Sequence, residues 1–346
     1  MLAKSAAAVP SGSDAAWSHE PKWDGFRALI FRDGDEVLMY SRSGKDLGRY
    51  FPELVEAMRE ELPRRVVLDG EVCVPKTVDG VRRLDWDALS QRIHPAASRV
   101  SMLAQQSPAM FIGFDALAHG DRNLMDEPLS TRRAVLLESL LDKRHCRVTR
   151  ATTDSAIAGE WFTRFEGAGL DGVVSKRLDG RYLPGKREMV KVKHRRTTDC
   201  VVMGYRIAKN GSGIGSMLLG LYRDGELHLV GGSSAFAAAA RIEMLHTLKL
   251  LRSDPDHVAD GELSRWKHKD AAQWIPIRPE LVAEFAYDQM EGDRFRHTVK
   301  FIRWRPDRDP ASCGYGQLDV PVTYDLDDVL TAASSESGGA ASGTGI

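Results

Sequence analysis

Apolar and polar residues alternate in short runs through the first 195 positions, which predicts strands rather than long helices. Residues 26–31 and 37–41 flank an Asp-Gly turn, and this combination predicts a β-hairpin. Apolar residues at helical spacing occur over 51–62, 131–141 and 160–168. Further short strands are predicted at 66–68, 72–74, 110–114, 173–176 and 189–193. The mixture predicts an α+β domain with antiparallel sheets.

The pattern changes near residue 195. Strands are predicted at 200–207, 217–222, 227–230, 281–287 and 299–304, with one helix at 237–251. Several strands, a single helix and Gly-rich turns in ~120 residues are typical of a small Greek-key β-barrel of the OB type. We therefore expect a first domain at 1–195 and an OB-fold domain at 199–325. Residues 1–15 are predicted to form a loose or extended arm, and the Ser- and Gly-rich tail at 331–346 is predicted to be disordered.

Composition narrows the class of protein but not its function. The 346 residues include 48 basic and 49 acidic ones, so the net charge of −1 gives no general attraction for nucleic acid and local clusters must decide. The four cysteines lack C-x-x-C spacing, which predicts reduced thiols rather than disulfides or a metal framework. The sequence shows neither a signal peptide nor an apolar run of the ~18 residues that a membrane span needs. We expect a soluble, cytoplasmic protein.

The segment Lys22-Trp23-Asp24-Gly25 precedes the first strand of the predicted hairpin. A lysine amine is a strong nucleophile once it loses its proton, and burial or neighbouring cations lower its pKa. An Asp-Gly turn can present such a lysine at the start of a strand. The same residues also occur in ordinary surface turns, so the assignment depends on residues further along the chain.

Other polar residues at the ends of predicted strands match the needs of nucleotidyl transfer. Each one alone is typical of a solvated turn, a strand face or a core position. Together they supply cations for a triphosphate, carboxylates for a divalent metal and an aromatic plane for a base. The cations are Arg27, Arg42, Lys191 and Lys193, the carboxylates are Glu71 and Asp171, and the aromatic residue is Phe114.

The order and spacing of these segments resemble the covalent nucleotidyltransferase superfamily, which contains ATP-dependent polynucleotide ligases and mRNA-capping enzymes. Residues 22–25 are similar to its motif I and residues 295–308 to its motif VI. Motifs Ia, III, IIIa, IV and V are matched in order by residues 41–46, 68–74, 111–117, 171–176 and 189–194. The amino-acid sequences of the motifs resemble most closely those of the small bacterial ATP-dependent DNA ligases of the ligase C type. The resemblance implies a nucleotidyltransferase domain with ATP-grasp-like antiparallel sheets.

The resemblance also implies a role for each matched residue of motifs I, III and IIIa. Lys22 is implied as the covalent acceptor of AMP. Glu20 and Phe114 are implied to hold the adenine, the latter by stacking. Arg27 and Glu71 are implied to bind the ribose side of the nucleotide.

The remaining motifs imply contacts with phosphate and metal. Arg42 would hold phosphate, including that of the nick, while Lys191 and Lys193 would hold the α-phosphate. Asp171, with Glu71, would bind Mg²⁺ or Mn²⁺, although this motif usually offers a glutamate. The residues implied to act from the second domain on the pyrophosphate are Arg296, Arg305, Asp307 and Arg308, the last standing where lysine is usual.

The activity so implied is that of an ATP-dependent DNA ligase, which seals nicks in duplex DNA through a lysyl-AMP intermediate with ATP as the AMP donor. The resemblance further implies a monomer in DNA repair beside a primase-polymerase, with a nucleoid-associated location. RNA ligase, an mRNA-capping-type nucleotidyltransferase and a non-catalytic nucleic-acid-binding adaptor remain as alternatives. Binding ATP and then DNA would require the second domain to swing on a hinge at 195–199.

Two basic segments, 181–196 and 294–308, suit contacts with phosphates. We expect no extra helical DNA-binding domain before Lys22, and so an incomplete encirclement of DNA. The Gly-rich residues 211–215 lack the spacing of a phosphate-binding loop and are predicted to form a hairpin loop.

Overall fold

The computed structural model describes residues 1–11, 16–141, 143–252, 254, 259, 273–319 and 321–331. The chain forms two units: the first contains Met1–Lys193 and resumes at Pro321, and the second is His194–Val320. The first change of unit lies beside the boundary expected at 195–199. The second lies before the expected end at 325, because residues after Pro321 pack into the first unit. The tail predicted to be disordered lies, beyond residue 331, outside the described residues.

Strands and helices are interspersed in the first unit. Its strands are β1 (Leu2–Ser5), β2 (Trp17–Pro21), β3 (Phe26–Asp33), β4 (Glu36–Ser41), β5 (Arg65–Cys73), β6 (Pro75–Val78), β7 (Val81–Leu84), β8 (Met110–His119), β9 (Arg122–Asn123), β10 (Cys146–Val148), β11 (Val173–Arg177) and β12 (Arg187–Val192). Its helices up to Lys193 are α1 (Pro52–Glu61), α2 (Trp86–Gln91), α3 (Ala97–Gln106), α4 (Leu129–Leu140) and α5 (Ser155–Arg164). Short 3-10 turns occupy Gly48–Tyr50 and Phe165–Ala168.

Two sheets carry the first unit. One has the strand order β10-β8-β5-β3-β4, with β9 paired to β8, and the other has the order β1-β12-β11-β2. Neighbouring strands are antiparallel except for β10 with β8 and β1 with β12, which are parallel. The start of the segment expected to be a loose or extended arm is therefore a strand, because its backbone pairs with β12. Strands β6 and β7 form a separate hairpin.

The predicted hairpin is present as β3 and β4, in a register that pairs Asp33 with Glu36. Its alternation buries Ile30 and Met39 in the main core, while α1 buries Leu54 and Met58 in the same core. An ion pair with a buried arginine also holds α1 in place. Arg92, which is inaccessible to solvent, donates from Nη1 and Nη2 to Glu53 at 2.7 and 2.8 Å.

The second unit is an antiparallel sheet with one described helix of regular length. Its strands are β13 (Arg196–Ile207), β14 (Ile214–Arg223), β15 (Glu226–Ser233), β16 (Ile275–Pro276), β17 (Val282–Tyr287), β18 (Met290–Glu291), β19 (Arg294–Phe295) and β20 (Lys300–Trp304), and its helix is α6 (Ala238–Lys249). The strand order is β15-β14-β13-β17-β20, with β16 paired to β13. Among the described residues this path is open, so strand pairing alone does not close the OB-type barrel that we expected. Two 3-10 turns, Pro310–Ser312 and Tyr315–Gln317, follow the sheet.

The chain then returns to the first unit and ends its described part in α7 (Leu326–Thr331). Leu326 and Val329 are buried there in an apolar cluster around Trp23. We call this group the Trp23 cluster. Its buried members are Trp23, Cys73, Leu84, Met110, Ile112, Trp161, Phe165, Ala168, Leu170, Leu326 and Val329.

Candidate active site

Lys22 directly follows β2, at the point where β2 pairs with β11. The register matches Pro21 with Val173 and continues one step further, because Lys22 N donates to Gly172 O at 2.8 Å. Asp171 N in turn donates to Lys22 O at 2.9 Å. The backbone therefore holds Lys22 beside Asp171, although 149 positions separate them in sequence.

Two glycines allow the backbones to approach each other around Lys22. Gly172 has a φ of +129°, and a Cβ at this position would lie 2.1 Å from Val192 O. A Cβ on Gly25 would lie 2.2 Å from Val72 O. Any larger residue at either position would force a neighbouring strand to move.

Asp171 joins two lysines. Lys22 Nζ donates to Asp171 Oδ2 at 2.5 Å, and Lys193 Nζ lies 2.7 Å from the same oxygen. Burial lowers the pKa of Lys22, but Asp171, helped by Glu71 and Asp24, outweighs burial and raises this pKa above its ordinary value. Burial raises the pKa of Asp171, and the two lysines more than reverse this effect. Lys22 is therefore protonated in the ligand-free protein, whereas we expected neighbouring cations to lower its pKa.

Glu71 lies on β5, in register with Arg27 on β3. Burial raises the pKa of Glu71 to about 8, with Lys22 and Arg27 acting against the rise and Asp24 and Asp69 adding to it. Glu71 therefore keeps a proton at neutral pH in the ligand-free protein. An added cation would favour its ionised form.

Glu20 precedes Lys22 by two residues in β2 and is buried. Lys176 Nζ lies 2.7 Å from Glu20 Oε2, donates to Phe114 O at 2.7 Å, and lies 4.7 Å from the centre of the Phe114 ring. Glu20 Oε1 lies 3.9 Å from Arg133 Nη1 and has no hydrogen-bond partner in the described part of the chain. A base stacked on Phe114 could donate an amino hydrogen to this oxygen, so these residues fit adenine.

Lys176 was not among the predicted site residues. The available signal was alternation along β11, since Val174 pairs with Glu20 and Lys176 follows it on the same face. That signal requires the pairing of β11 with β2, which the sequence does not reveal.

Arg27 is fixed by a carboxylate that was also not predicted. Its Nε and Nη2 donate to the two oxygens of Asp69 at 2.9 and 2.6 Å, and Tyr182 OH donates to Asp69 Oδ2 at 2.8 Å. Arg27 also donates to Met1 O at 2.5 Å, and its Cζ lies 5.7 Å from the centre of the Phe114 ring. The guanidinium is therefore held in one orientation next to the predicted base-stacking ring.

Two further predicted phosphate ligands differ in their surroundings. Lys191 lies in β12 on the same face as Lys193, because Val190 and Val192 are buried on the other face. Arg42 is exposed in the turn that follows β4. The buried group around Asp171 thus contains Lys193 but does not extend to the exposed side chain of Arg42.

The second unit holds its own charged group around Asp199, which was not predicted. Arg305 Nη1 donates to the two oxygens of Asp199 at 3.0 and 2.9 Å, while Arg305 Nε donates to Asp307 at 2.9 Å. Hydrogen bonds from Arg305 and the backbone lower the pKa of Asp307 to about 2. Arg308 Nε lies 3.6 Å from Asp199 Oδ2, and Arg296 is half-buried in the same unit. Of the predicted residues of motif VI, Arg305 and Arg308 thus lie against Asp199, and Asp307 is bonded to Arg305.

The carboxylates near Lys22 fit a divalent metal only in company with another ligand. Glu71 and Asp171 offer the hard oxygen donors that Mg²⁺ or Mn²⁺ prefers. Within the described ranges, no three His, Cys, Asp or Glu side chains gather closely enough to hold a metal ion. One or two carboxylates together with nucleotide phosphates are a common way to hold Mg²⁺.

Two broader expectations concern thiols and membranes. Cys73, Cys146, Cys200 and Cys313 are free and buried. In the part of the chain that the structure covers, no helix has the length and apolar character that crossing a membrane requires.

Comparisons with known proteins show the family of the chain. Residues 1–193 match the family model of the ATP dependent DNA ligase domain, and residues 210–308 match that of the ATP dependent DNA ligase C terminal region. The chain is 62% identical over 336 residues to DNA ligase C1 of Mycolicibacterium smegmatis, covering 95% of this chain and 96% of that protein. It is 50% identical over 351 residues to DNA ligase C of Mycobacterium tuberculosis, again covering 95% and 96%. A solved Lig E DNA ligase shares the fold, with a TM-score of 0.53, 14% identity, and 88% of this chain and 100% of that chain covered.

Proposed function

Since the chain belongs to the ATP-dependent DNA ligases, we propose that Lys22 is the amine that takes AMP from ATP on the way to sealing a nick. The observation that carries this proposal is the buried group in which Asp171 Oδ2 contacts both Lys22 and Lys193. It brings together a nucleophile, the carboxylate that keeps this nucleophile protonated, and a second cation.

Three bond exchanges follow from this assignment. The Lys22 amine, after its proton passes to water, forms a P–N bond to the α-phosphorus of ATP, while the bond from this phosphorus to the oxygen that bridges to the β-phosphate breaks and pyrophosphate leaves with that oxygen. The 5′-phosphate of a nick then displaces the amine and forms a P–O–P bond to AMP. Finally the 3′-hydroxyl attacks that DNA phosphate, which forms the phosphodiester and releases AMP.

The first exchange requires Lys22 to lose its proton. In the ligand-free protein Asp171 raises the pKa of Lys22 and burial lowers it. Any contact that draws Asp171 Oδ2 away from Lys22 leaves burial as the stronger influence, and the amine is then released as a nucleophile. A divalent metal held by Asp171 and Glu71 would supply positive charge to stabilise the transferring phosphate.

The other first-unit residues bind and orient the nucleotide. Glu20 Oε1 accepts from the adenine amine, Phe114 stacks on the ring, and Lys176 fixes both residues. Arg27 is held towards the nucleotide by Asp69. Further contacts to phosphates come from Arg42, Lys191 and Lys193.

We also propose that the second unit is an OB-fold barrel that acts on the leaving group. In its antiparallel sheet, one helix of the described residues, α6, lies between β15 and β16 in the chain. Val299 N, just before β20, donates to Gly232 O in β15 at 3.1 Å, so the two ends of the sheet approach each other. Arg296, Arg305 and Arg308 would contact pyrophosphate, with Asp307 holding Arg305 in place.

The substrate proposed is nicked duplex DNA, bound through the basic segments 181–196 and 294–308. Such contacts release counterions, so affinity should fall steeply between 50 and 200 mM salt, on the order of 10³-fold for six or more phosphates. A monomer that binds DNA would be found with the bacterial nucleoid. A nick is what remains after a gap is filled, which favours a repair role beside a primase-polymerase.

The experiment that tests the proposal is adduct formation with ATP labelled at the α-phosphate. Lys22→Ala should form no covalent adduct, whereas Lys76→Ala, which changes an exposed lysine of β6, should form it normally. A labelled adduct on the Lys22→Ala variant would refute the assignment. A preference for GTP, or for nicked RNA over nicked DNA, would favour the capping-type or RNA-ligase alternative.

A further inference from the structure

We propose that residues 321–331 complete the adenylylation site by positioning Lys22 and Asp171 through the Trp23 cluster. We call these residues the C-terminal clasp. The inference rests on the proposed role of Lys22 and adds a segment that both family matches leave out, since they cover 1–193 and 210–308.

The clasp is packed into the first unit rather than lying loosely on it. Leu326 is 0% exposed and Val329 is 1% exposed, and both belong to the Trp23 cluster. Val322, in the same segment, is 82% exposed. The clasp therefore inserts an apolar face into the cluster, while its start at Val322 remains in solvent.

Polar and aromatic contacts fix the position of the clasp. Asp327 Oδ1 accepts from Arg82 Nη1 at 2.6 Å, and Asp325 Oδ2 accepts from Arg82 N at 3.3 Å. The ring of Tyr324 lies 5.2 Å from that of Phe165, between centres. A Cβ on Gly167 would lie 1.8 Å from Val322 O, so the two backbones are in close contact. These contacts hold the clasp in one position on the first unit.

The cluster that receives the clasp flanks the reacting pair on both sides. Trp23 follows Lys22 directly, and its Nε1 donates to Thr149 Oγ1 at 2.8 Å. Leu170 precedes Asp171 directly and is fully buried in the same cluster. Neither residue can shift without moving the neighbour that carries the chemistry.

Position matters more than polarity at this point in the mechanism. Lys22 must meet the α-phosphorus in line with the leaving pyrophosphate, and a shift of ~1 Å can cost about a hundredfold in rate. Removing the side chains of Leu326 or Val329 would let Trp23 and Leu170 relax into the space left behind. The first bond exchange should suffer most, because the last exchange joins two DNA ends without the Lys22 amine.

The experiment compares Leu326→Ala and Val329→Ala with the exposed-site control Val322→Ala in the full chain. The rate of lysyl-AMP formation is measured with excess ATP, and the last exchange is measured on nicked DNA that already carries AMP on its 5′-phosphate. We expect adduct formation to fall at least tenfold in both cluster variants, with sealing of the adenylylated nick within about threefold of wild type. Val322→Ala should match wild type in both assays, and Leu326→Met should restore adduct formation.

Two results would overturn the inference. One is adduct formation within threefold of wild type in Leu326→Ala and Val329→Ala, whatever happens to their melting temperature. The other is an equal loss in both assays, which would mean general destabilisation. Failure of the proposed function is distinguishable, because Lys22→Ala would then retain its adduct. If Lys22→Ala loses the adduct and the clasp variants keep it, only the inference fails.

Discussion

Replacing Asp171 with asparagine should make the Lys22 amine more reactive in the ligand-free protein, even though it should impair ligation. Asp171→Asn preserves size but removes the negative charge whose Oδ2 lies 2.5 Å from Lys22 Nζ and 2.7 Å from Lys193 Nζ. This carboxylate raises the pKa of Lys22 against the opposing influence of burial. Without it, burial dominates and the pKa of Lys22 falls.

The magnitude follows from the contact itself. The side chains of Lys22 and Asp171 are 21% and 10% exposed, so water screens their interaction only weakly. A hydrogen bond between charged groups contributes ~1.5–3 kcal/mol. At ~1.4 kcal/mol for each factor of ten, its loss raises the neutral amine population at fixed pH by roughly 10- to 150-fold.

The same pair stabilises the fold over a defined pH range. The pKa of Asp171 is lowered in the folded protein, so its contribution is present above its unfolded pKa and is lost as pH falls through the folded value. The pKa of Lys22 is raised, so its contribution is present below its unfolded pKa and is lost as pH rises through the folded value. Asp171→Asn should therefore cost stability at neutral pH, and the cost should shrink in acid.

The assay is competitive labelling with limiting acetic anhydride between pH 6 and 9, read by peptide mass spectrometry. Labelling of Lys22 should increase in Asp171→Asn, while labelling of Lys76 in the same sample should not change. Asp179→Asn removes an exposed carboxylate that pairs with Arg177, and should leave Lys22 unaffected. Equal or slower labelling of Lys22 in Asp171→Asn would refute the view that this carboxylate holds the proton on Lys22.

Three further predictions concern the surroundings of the site. Because Glu71 keeps its proton to about pH 8 when folded but only to ~4 when unfolded, wild type should lose stability relative to Glu71→Gln as pH rises between these values. Urea unfolding at pH 5 and pH 8 checks this, and a constant difference would contradict it. Gly25→Ala should lower the free energy of unfolding by ~1–3 kcal/mol or more, because the new Cβ would lie 2.2 Å from Val72 O. Gly159→Ala in α5, where a Cβ meets nothing within 4 Å, should be neutral or slightly stabilising in the same thermal unfolding measurement. Glu53→Gln should cost ~3–5 kcal/mol because it leaves Arg92 charged and buried, whereas Glu56→Gln, which breaks the exposed pair with Arg59, should change stability by under ~1 kcal/mol; similar denaturant midpoints for the two variants would argue against this.

Local sequence patterns were sufficient to predict the helices and hairpins that form between residues close together in the chain. The β3–β4 hairpin follows from alternation on both sides of an Asp-Gly turn, and α1 follows from the spacing of Leu54 and Met58 after Pro52. Family membership and the DNA ligase activity, both expected from the resemblance, are confirmed. The motif pattern also named both partners of the Lys22–Asp171 pair, although their roles stay proposals.

Features that depend on distant pairing were not predictable in this way. Lys176, Asp69 and Asp199 gain their roles only when separate strands meet in a particular register. The pKa of Lys22 depends on the 2.5 Å contact with Asp171, and the sequence gives its residue types but not their distance. Helix α7 has only six residues, which is too short for apolar periodicity to predict it. Its buried partners extend from Trp23 to Leu170, so the sequence does not show where the helix packs.

The return of the chain at Pro321 has a practical consequence for anyone who wishes to prepare the first unit by itself. A fragment that stops at Lys193 would lack Leu326 and Val329 and would open the interior beside Trp23 to water. Such a fragment should be prone to self-association, and its weak activity could be mistaken for a requirement for the missing sheet. Joining Lys193 to Pro321 through a flexible glycine- and serine-rich linker would remove the inserted portion and keep the interior intact.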